Sequence, residues 1–303
     1  MKHGQEILVT SIENPTTGEF DLSLTTPVDQ FIRVEVSSSL GQWDGLFTFR
    51  SSGTDTLTDT TSGLSTLPRY YRAMALSETE IVTGDLLATS EGEAIIHPIE
   101  HASFLISWNG LIIYNDPSDS ADLYEGLPQP DLILVSHRHG DHFSASTLES
   151  VRKAGTVIVA PASVFDRMTS ALQAVTTSLA NGETTTVSGM RIEAVPAYNA
   201  RHTRGEGNSY VLTLGGKRFY MSGDTEDIPE MRALSNIDVA FICMNLPFTM
   251  NVTQAASAVR EFQPDVVYPY HYRNQDGTFS DLEDFKSQVG SDLEIEVRFR
   301  DWY

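Results

Sequence analysis

The sequence predicts an α+β protein in which two β-sheets pack face to face with helices outside them, behind a small N-terminal β-sandwich. Three observations predict it. The apolar runs come as strands first and then as alternating helix and strand, twice over, which two helix-covered sheets satisfy. Residues 1 to 78 are rich in Ser, Thr and Gly and show short alternating runs with no helical period. A loop carrying three histidines follows directly on the apolar run Asp131–Val135.

At 303 residues the chain can hold one large domain, or a medium domain with a small companion. We divide it into residues 1–78 and 79–303. The formal net charge of -21 disfavours nucleic acid and anionic membranes, which are bound through Lys and Arg. No apolar run approaches the roughly 18 residues of a membrane span. The start, M-K-H-G-Q-E, shows no signal peptide, so cytoplasmic and secreted locations both stay open, as does oligomeric state. The one cysteine, Cys243, excludes an internal disulfide, and its setting in V-A-F-I-C-M makes it a core residue.

In the front segment, Phe20–Leu24, Phe31–Val36 and Leu46–Phe49 read as strands. The phrases F-I-R-V-E-V-S-S-S-L-G-Q-W and L-P-R-Y-Y-R resemble a fibronectin-type module attached to some bacterial secreted proteins. Trp43, Tyr70 and Tyr71 read as core and edge packing, with a sugar-binding face as the alternative. Glu78–Gly92 is a polar joint. Strands then follow at Ala94–Ile99, Phe104–Trp108 and Leu111–Asn115, the last two joined by an Asn109-Gly110 turn. Beyond the histidine loop come a helix at Ser146–Ala154, a strand at Thr156–Ala160 and a helix at Pro161–Ala171 with Pro in its first turn. The second run has strands at Thr184–Val187, Arg191–Pro196, Ser209–Leu214, Arg218–Ser222 and Asp238–Met244. A helix at Thr253–Phe262 and a strand at Asp265–Pro269 come next. Ser280 with Glu283 makes a capping box for a helix to about Val289, and Leu293–Phe299 is a terminal strand.

The histidine loop, S-H-R-H-G-D-H-F over Ser136 to Phe143, carries the chemistry. In an extended segment alternate side chains share a face, so His137 and His139 can hold one ion while Arg138 points away. Gly140 lets the chain turn and frees Asp141 and His142 for a second ion. Imidazole and carboxylate together suit zinc, manganese or iron rather than calcium.

The spacing H-x-H-x-D-H resembles the signature of the metallo-β-lactamase-fold superfamily of metal-dependent hydrolases, whose fold is a four-layer αβ/βα sandwich. That resemblance requires a further histidine, an aspartate and a last histidine, each at the end of a later strand. His202 in V-P-A-Y-N-A-R-H, Asp224 in M-S-G-D-T and His271 in V-V-Y-P-Y-H-Y meet it in that order. The resemblance implies that His137, His139 and His202 hold one metal, that Asp141, His142 and His271 hold the other, and that Asp224 bridges them. It implies two divalent ions, zinc foremost, and a bridging hydroxide that attacks a small ester, lactone or phosphoester. Asp116, in N-D-P, matches an aspartate that braces the histidine loop, with a plain Asx-turn as the other reading. His101, in I-E-H-A-S-F-L-I, is similar to a phrase of the lactonase-like and phospholipase-D-like branches and would border the pocket, with a hydrogen-bonded core histidine as the other reading. His97 reads as structural, and His3 as a cloning residue.

Asp141 is the expected proton carrier, with Tyr198, Tyr270 or Tyr272 as substitutes. Arg201, Arg204 and Arg273, near the ligands in sequence, read as exposed loop surface, with orientation of a carboxylate or phosphate as the functional alternative. Two readings of other classes remain open: a di-iron redox scaffold, and a glycan- or surface-binding module with a vestigial metal domain.

Overall fold

A computed structural model of the protein describes residues 7–13, 20–28, 31–37, 44–59, 68–75 and 84–303. These fall into two compact units, 1–88 with 93–96, and 89–92 with 97–303. Trp43 and His3 lie outside the described residues.

The first unit contains two three-stranded antiparallel sheets. One is ordered Leu8–Glu13, Phe20–Thr25, Thr54–Asp59, the other Asp44–Arg50, Phe31–Ser37, Tyr70–Ala75. Alternation decides what each strand buries: Leu22 and Leu24 point inward to Ile32 and Val34, while Ser23 and Thr25 face out. The result is a β-sandwich. Tyr70 is exposed, whereas Tyr71 packs 6.0 Å from Phe20 and donates its hydroxyl to buried Asp59, so the two tyrosines share no face. Asp85–Thr89, inside the segment read as a polar joint, is a strand.

The second unit is built on two mixed sheets. The first runs Thr176–Ser178, Val157–Ala160, Leu132–Leu134, Leu111–Asn115, Ser103–Trp108, Gly92–Glu100, with the first four strands parallel and the Ser103–Trp108 pairing antiparallel. The second runs Thr184–Val187, Met190–Asn199, His202–Leu214, Lys217–Met221, Val239–Cys243, Val266–Tyr270, Glu296–Val297, antiparallel through the first four and parallel after them. Each sheet therefore begins as a meander and ends in parallel strands with helical crossovers. The buried faces meet through Phe104 stacked at 4.3 Å on Phe241, with Tyr270 and Trp302 edge-on to Phe104. Tyr210 ties the sheets together by donating to the carbonyl of Val135 at 2.9 Å. Asn109 and Gly110 both have positive φ, as the predicted hairpin turn requires.

Several elements differ from the sequence reading. The helix expected at Ser146–Ala154 is Ala145–Val151, capped by the Ser144 side chain. Pro161–Ala171 is two short helices, Ala162–Phe165 and Ser170–Gln173, because Thr169 caps a fresh start by accepting from the Leu172 N–H. The last helix, Leu282–Val289, is capped by Asp281 rather than Ser280, whose hydroxyl donates to the Met244 carbonyl. The terminal strand shrinks to Glu296–Val297, with Glu294 in a left-handed conformation just before it. His202, expected on a loop, opens the long strand His202–Leu214 and is buried. Among the described residues no helix is long and apolar enough to cross a membrane.

Candidate metal centre

The strand ends bring the predicted ligands to one rim. Leu132–Leu134 delivers the histidine loop, Lys217–Met221 leads to Asp224, and Val266–Tyr270 ends at His271. Each of the three has a parallel neighbour, and where strands run parallel sites form beyond the carboxyl ends. His202 arrives differently, from the hairpin between Met190–Asn199 and His202–Leu214. Asn199 makes that hairpin: its Oδ1 accepts from the N–H groups of Arg201 at 2.7 Å and His202 at 3.2 Å, and its Nδ2 donates to the Asp224 carbonyl at 3.0 Å.

Two groups result, His137, His139 and His202, and Asp141, His142, Asp224 and His271. Within each, one ligand-type atom per residue lies within 4.8 Å of the others. The groups adjoin: the His137 ring lies 4.7 Å from that of His202 and 4.1 Å from that of His142. Asp224 reaches both. Its Oδ1 lies 3.2 Å from His142 Nε2 and 3.0 Å from His271 Nε2, and its Oδ2 3.8 Å from His137 Nε2.

The donor chemistry fits cations. Among the described residues both ring nitrogens of buried His202 and Nδ1 of buried His271 have no hydrogen-bond partner, which is costly unless something else satisfies them. Nε2 of His142 faces Nε2 of His271 at 3.0 Å, and Nε2 of His137 faces Nδ1 of His139 at 2.9 Å. Burial opposes charging His142, but Asp224, Asp141 and Asp116 together outweigh it and push its pKa well above the ordinary value. Burial likewise works to raise Asp224, and His271 and His142 overcome it and hold that carboxyl well below its usual range. His202 is moved to about 4, chiefly by burial. Asp224 kept ionised and His137, His139 and His202 kept neutral by burial are in the protonation states that metal ligation needs, whereas His142 would have to give up its Nε2 proton to a cation.

Bracing comes from Asp116, fully buried with φ 45°. Its Oδ1 accepts from the Ser136 N–H at 2.6 Å, and its Oδ2 accepts from Ser136 Oγ at 2.7 Å and from His142 Nδ1 at 2.8 Å. That keeps a proton on His142 Nδ1 and aims Nε2 into the site. His101 and His271 also have positive φ, 56° and 47°, so three strained non-glycine backbones surround the site. Two glycines make room. A Cβ at Gly223 would lie 2.9 Å from the Ser136 Cβ, and one at Gly207 would lie 2.9 Å from His202 Nε2.

Of the other candidates, Arg201 lines a cavity of about 430 Å³ together with His139, Asp141, Asn199, Asp224, Phe248 and Gln275. His101 lies against the site, with Nε2 3.4 Å from Asp141 Oδ2 and its ring 3.8 Å from that of His271. The three tyrosines are not among the cavity's lining residues. Tyr198 donates to Glu230 at 3.0 Å; buried Tyr270 accepts from the Gly223 N–H at 2.9 Å; Tyr272 packs on Phe279 and Tyr303. Arg204 pairs with Glu230 and Arg273 with Glu100. Cys243 is buried, and burial pushes its thiol up to about 11, as a core residue requires.

Sequence reasoning passed over Asn199, Phe248, Gln275 and Tyr303. Tyr303 lies 202 positions from His101 and bonds its Nδ1 at 2.9 Å. No local pattern connects residues so far apart, whereas Asn199, three residues before His202, was within reach of an Asx-turn reading.

Comparison with known proteins gives the same class. The model of the beta-lactamase superfamily domain matches residues 96–271. The UPF0173 metal-dependent hydrolase of Thermococcus kodakarensis is 32% identical over 209 residues, 65% of this chain and 92% of that protein. Its counterpart from Pyrococcus abyssi is 33% identical over 181 residues, 57% of this chain and 80% of that one. A crystal structure of a protein assigned as a metal-dependent hydrolase from Parabacteroides distasonis is 38% identical, with a TM-score of 0.64, covering 72% of this chain and 98% of its own. The metallo hydrolase Igni18 of Ignicoccus hospitalis, 23% identical with a TM-score of 0.59 over 68% of this chain and 94% of its own, shares the fold. This chain belongs to the beta-lactamase superfamily and is a metal-dependent hydrolase.

Proposed function

We propose that the chain is a dinuclear hydrolase of a small ester, lactone or phosphoester. The observation that carries this reading is the position of Asp224, with one carboxylate oxygen toward His142 and His271 and the other toward His137. In this reading His137, His139 and His202 hold one divalent ion and Asp141, His142 and His271 the other. Asp224 serves both. Zinc is the first choice, ahead of manganese and iron. Such a pair, when bound, polarises a scissile carbonyl or phosphoryl group and lowers the pKa of water toward neutrality.

The chain's own residues supply the rest. Asp141 lines the cavity with its side chain 41% exposed, so a substrate and a water can both reach it. It takes the proton of the attacking water and returns it to the leaving group. With Tyr198, Tyr270 and Tyr272 engaged elsewhere, no tyrosine among them competes for that role. His101 holds Asp141 from behind, and Asn199 fixes the turn that carries His202. We also read residues 1–78 as a separate fibronectin-like module that takes no part in the chemistry. The match to the superfamily domain supports this, since it begins at residue 96.

The test is a panel of chromogenic carboxylic esters, lactones, phosphodiesters, phosphotriesters and β-lactams. Each is run on chelated protein reloaded with zinc, manganese or cobalt. Turnover of an ester, lactone or phosphoester that vanishes on chelation and returns with metal supports the reading; activity indifferent to chelation overturns it.

A further inference from the structure

The chain carries 41 acidic residues against 20 basic ones, and most arginines around the site take an acidic partner. Around the site, Arg138 pairs with Glu206, Arg204 with Glu230 and Arg273 with Glu100. Arg201 differs from these three. Among the described residues its guanidinium has no carboxylate partner, and it lies over the Phe248 ring at 5.2 Å. Its backbone is fixed by the 2.7 Å bond from its N–H to Asn199 Oδ1, the acceptor that also holds His202. Arg201 thus sits in fixed register, one residue from a predicted ligand, in the same 430 Å³ cavity as His139, Asp141 and Asp224. A guanidinium offers a planar fork of donors that matches a carboxylate or phosphate, and a ring beneath it holds that fork flat. Gln275 lines the same cavity and adds an amide. The polar atoms of Asn199, by contrast, are already engaged.

We propose that Arg201 is a specificity residue that binds an oxyanion on the substrate, separate from the group being hydrolysed. The substrate class is then an ester, lactone or phosphoester carrying a second anionic arm, either carboxylate or phosphate. This rests on the hydrolase reading and adds the substrate's charge to it. The acidic character of the chain sharpens the point: an anion approaches against the overall charge and is accepted only where a cation waits for it.

Calorimetric titration of zinc-loaded protein with butyrate, succinate and 3-phosphonopropionate tests it without turnover. Each offers one carboxylate to the metal site, but only the last two offer a second anion. We expect wild type to bind at least one dianion roughly 10- to 100-fold more tightly than butyrate, the worth of a charge-assisted hydrogen-bonded contact. The preferred dianion identifies the arm. In Arg201→Gln the advantage should collapse toward one, and Arg201→Lys should restore part of it. Equal binding of all three by wild type, no binding of any, or an unchanged ratio in Arg201→Gln would each overturn the proposal. The hydrolase reading is judged apart from it, by turnover of uncharged esters by the wild-type protein.

Discussion

Asp116 and His142 are joined by a 2.8 Å bond between a fully buried carboxylate and an imidazole Nδ1, across 26 positions of sequence. The same carboxylate holds the backbone and hydroxyl of Ser136, where the histidine loop begins. One side chain therefore sets both the position of the loop and the tautomer of a predicted ligand. Asp116→Ala should weaken metal binding by roughly 10- to 100-fold, the usual cost of losing such a partner. Competition against a chelator of known affinity measures this. An affinity within twofold of wild type would mean that the carboxylate only stabilises the fold.

Tyr303, His101 and Asp141 form a second chain. The Tyr303 hydroxyl accepts from the Arg273 N–H at 3.1 Å, which leaves its proton for His101 Nδ1 at 2.9 Å. His101 then carries its own proton on Nε2, facing Asp141 Oδ2 at 3.4 Å. The opposite tautomer would turn a lone pair toward a carboxylate. Tyr303→Phe should lower kcat by about one order of magnitude, less than the roughly 100-fold or more of a direct general acid or base because it acts through His101, with KM and metal content near wild type. A parallel loss of bound metal would show that the chain supports ligation instead of the proton carrier.

Acid should loosen the histidine loop through Glu206. This carboxylate accepts from the Thr203 N–H at 2.6 Å and Oγ1 at 3.0 Å and from the Arg138 guanidinium, and these bonds draw its pKa down to about 2 from 4.5. Because the folded value is the lower one, the stabilisation is complete above the unfolded pKa and is lost as pH falls toward 2. The Tm difference between wild type and Glu206→Gln should be full at neutral pH and close across that acidic window. A difference independent of pH would contradict the assignment.

Gly223 has φ 55° beside Asp224, and a methyl group there meets the Ser136 Cβ at 2.9 Å. Neither that Cβ nor the Asn208 carbonyl oxygen, at 3.2 Å, is a flexible chain end, so the backbone must move. Gly223→Ala should cost about 1–3 kcal/mol of stability, the range for a strained backbone, and should lower metal content as Asp224 shifts. Chemical denaturation with parallel metal analysis checks both effects.

Much of this was legible in the sequence, for identifiable reasons. His137, His139, Asp141 and His142 are close enough to read as a cluster, and His271 and Asp224 follow apolar strands whose ends sequence can locate. His202 was placed in the correct order but on the wrong element, because exposed Arg201, Thr203 and Arg204 gave the outer end of a strand the look of a charged loop. The tyrosines near the ligands misled for a related reason. Adjacency to a ligand along a strand places the next side chain on the opposite face, and Tyr270 beside His271 turns into the core. Tyr303 and Phe248 were invisible because long-range packing alone brings them to the site. The split of Pro161–Ala171 was hidden because a mid-segment Thr caps a new helix only when its neighbours let it.

Metal content tests the central claim most directly. Protein stripped with chelator, reloaded with excess zinc and desalted should carry two ions per chain by mass spectrometry of the metal, and Asp224→Ala should carry fewer. Retention of one ion or none by the wild-type chain, or two by Asp224→Ala, would contradict a paired centre shared through that carboxylate.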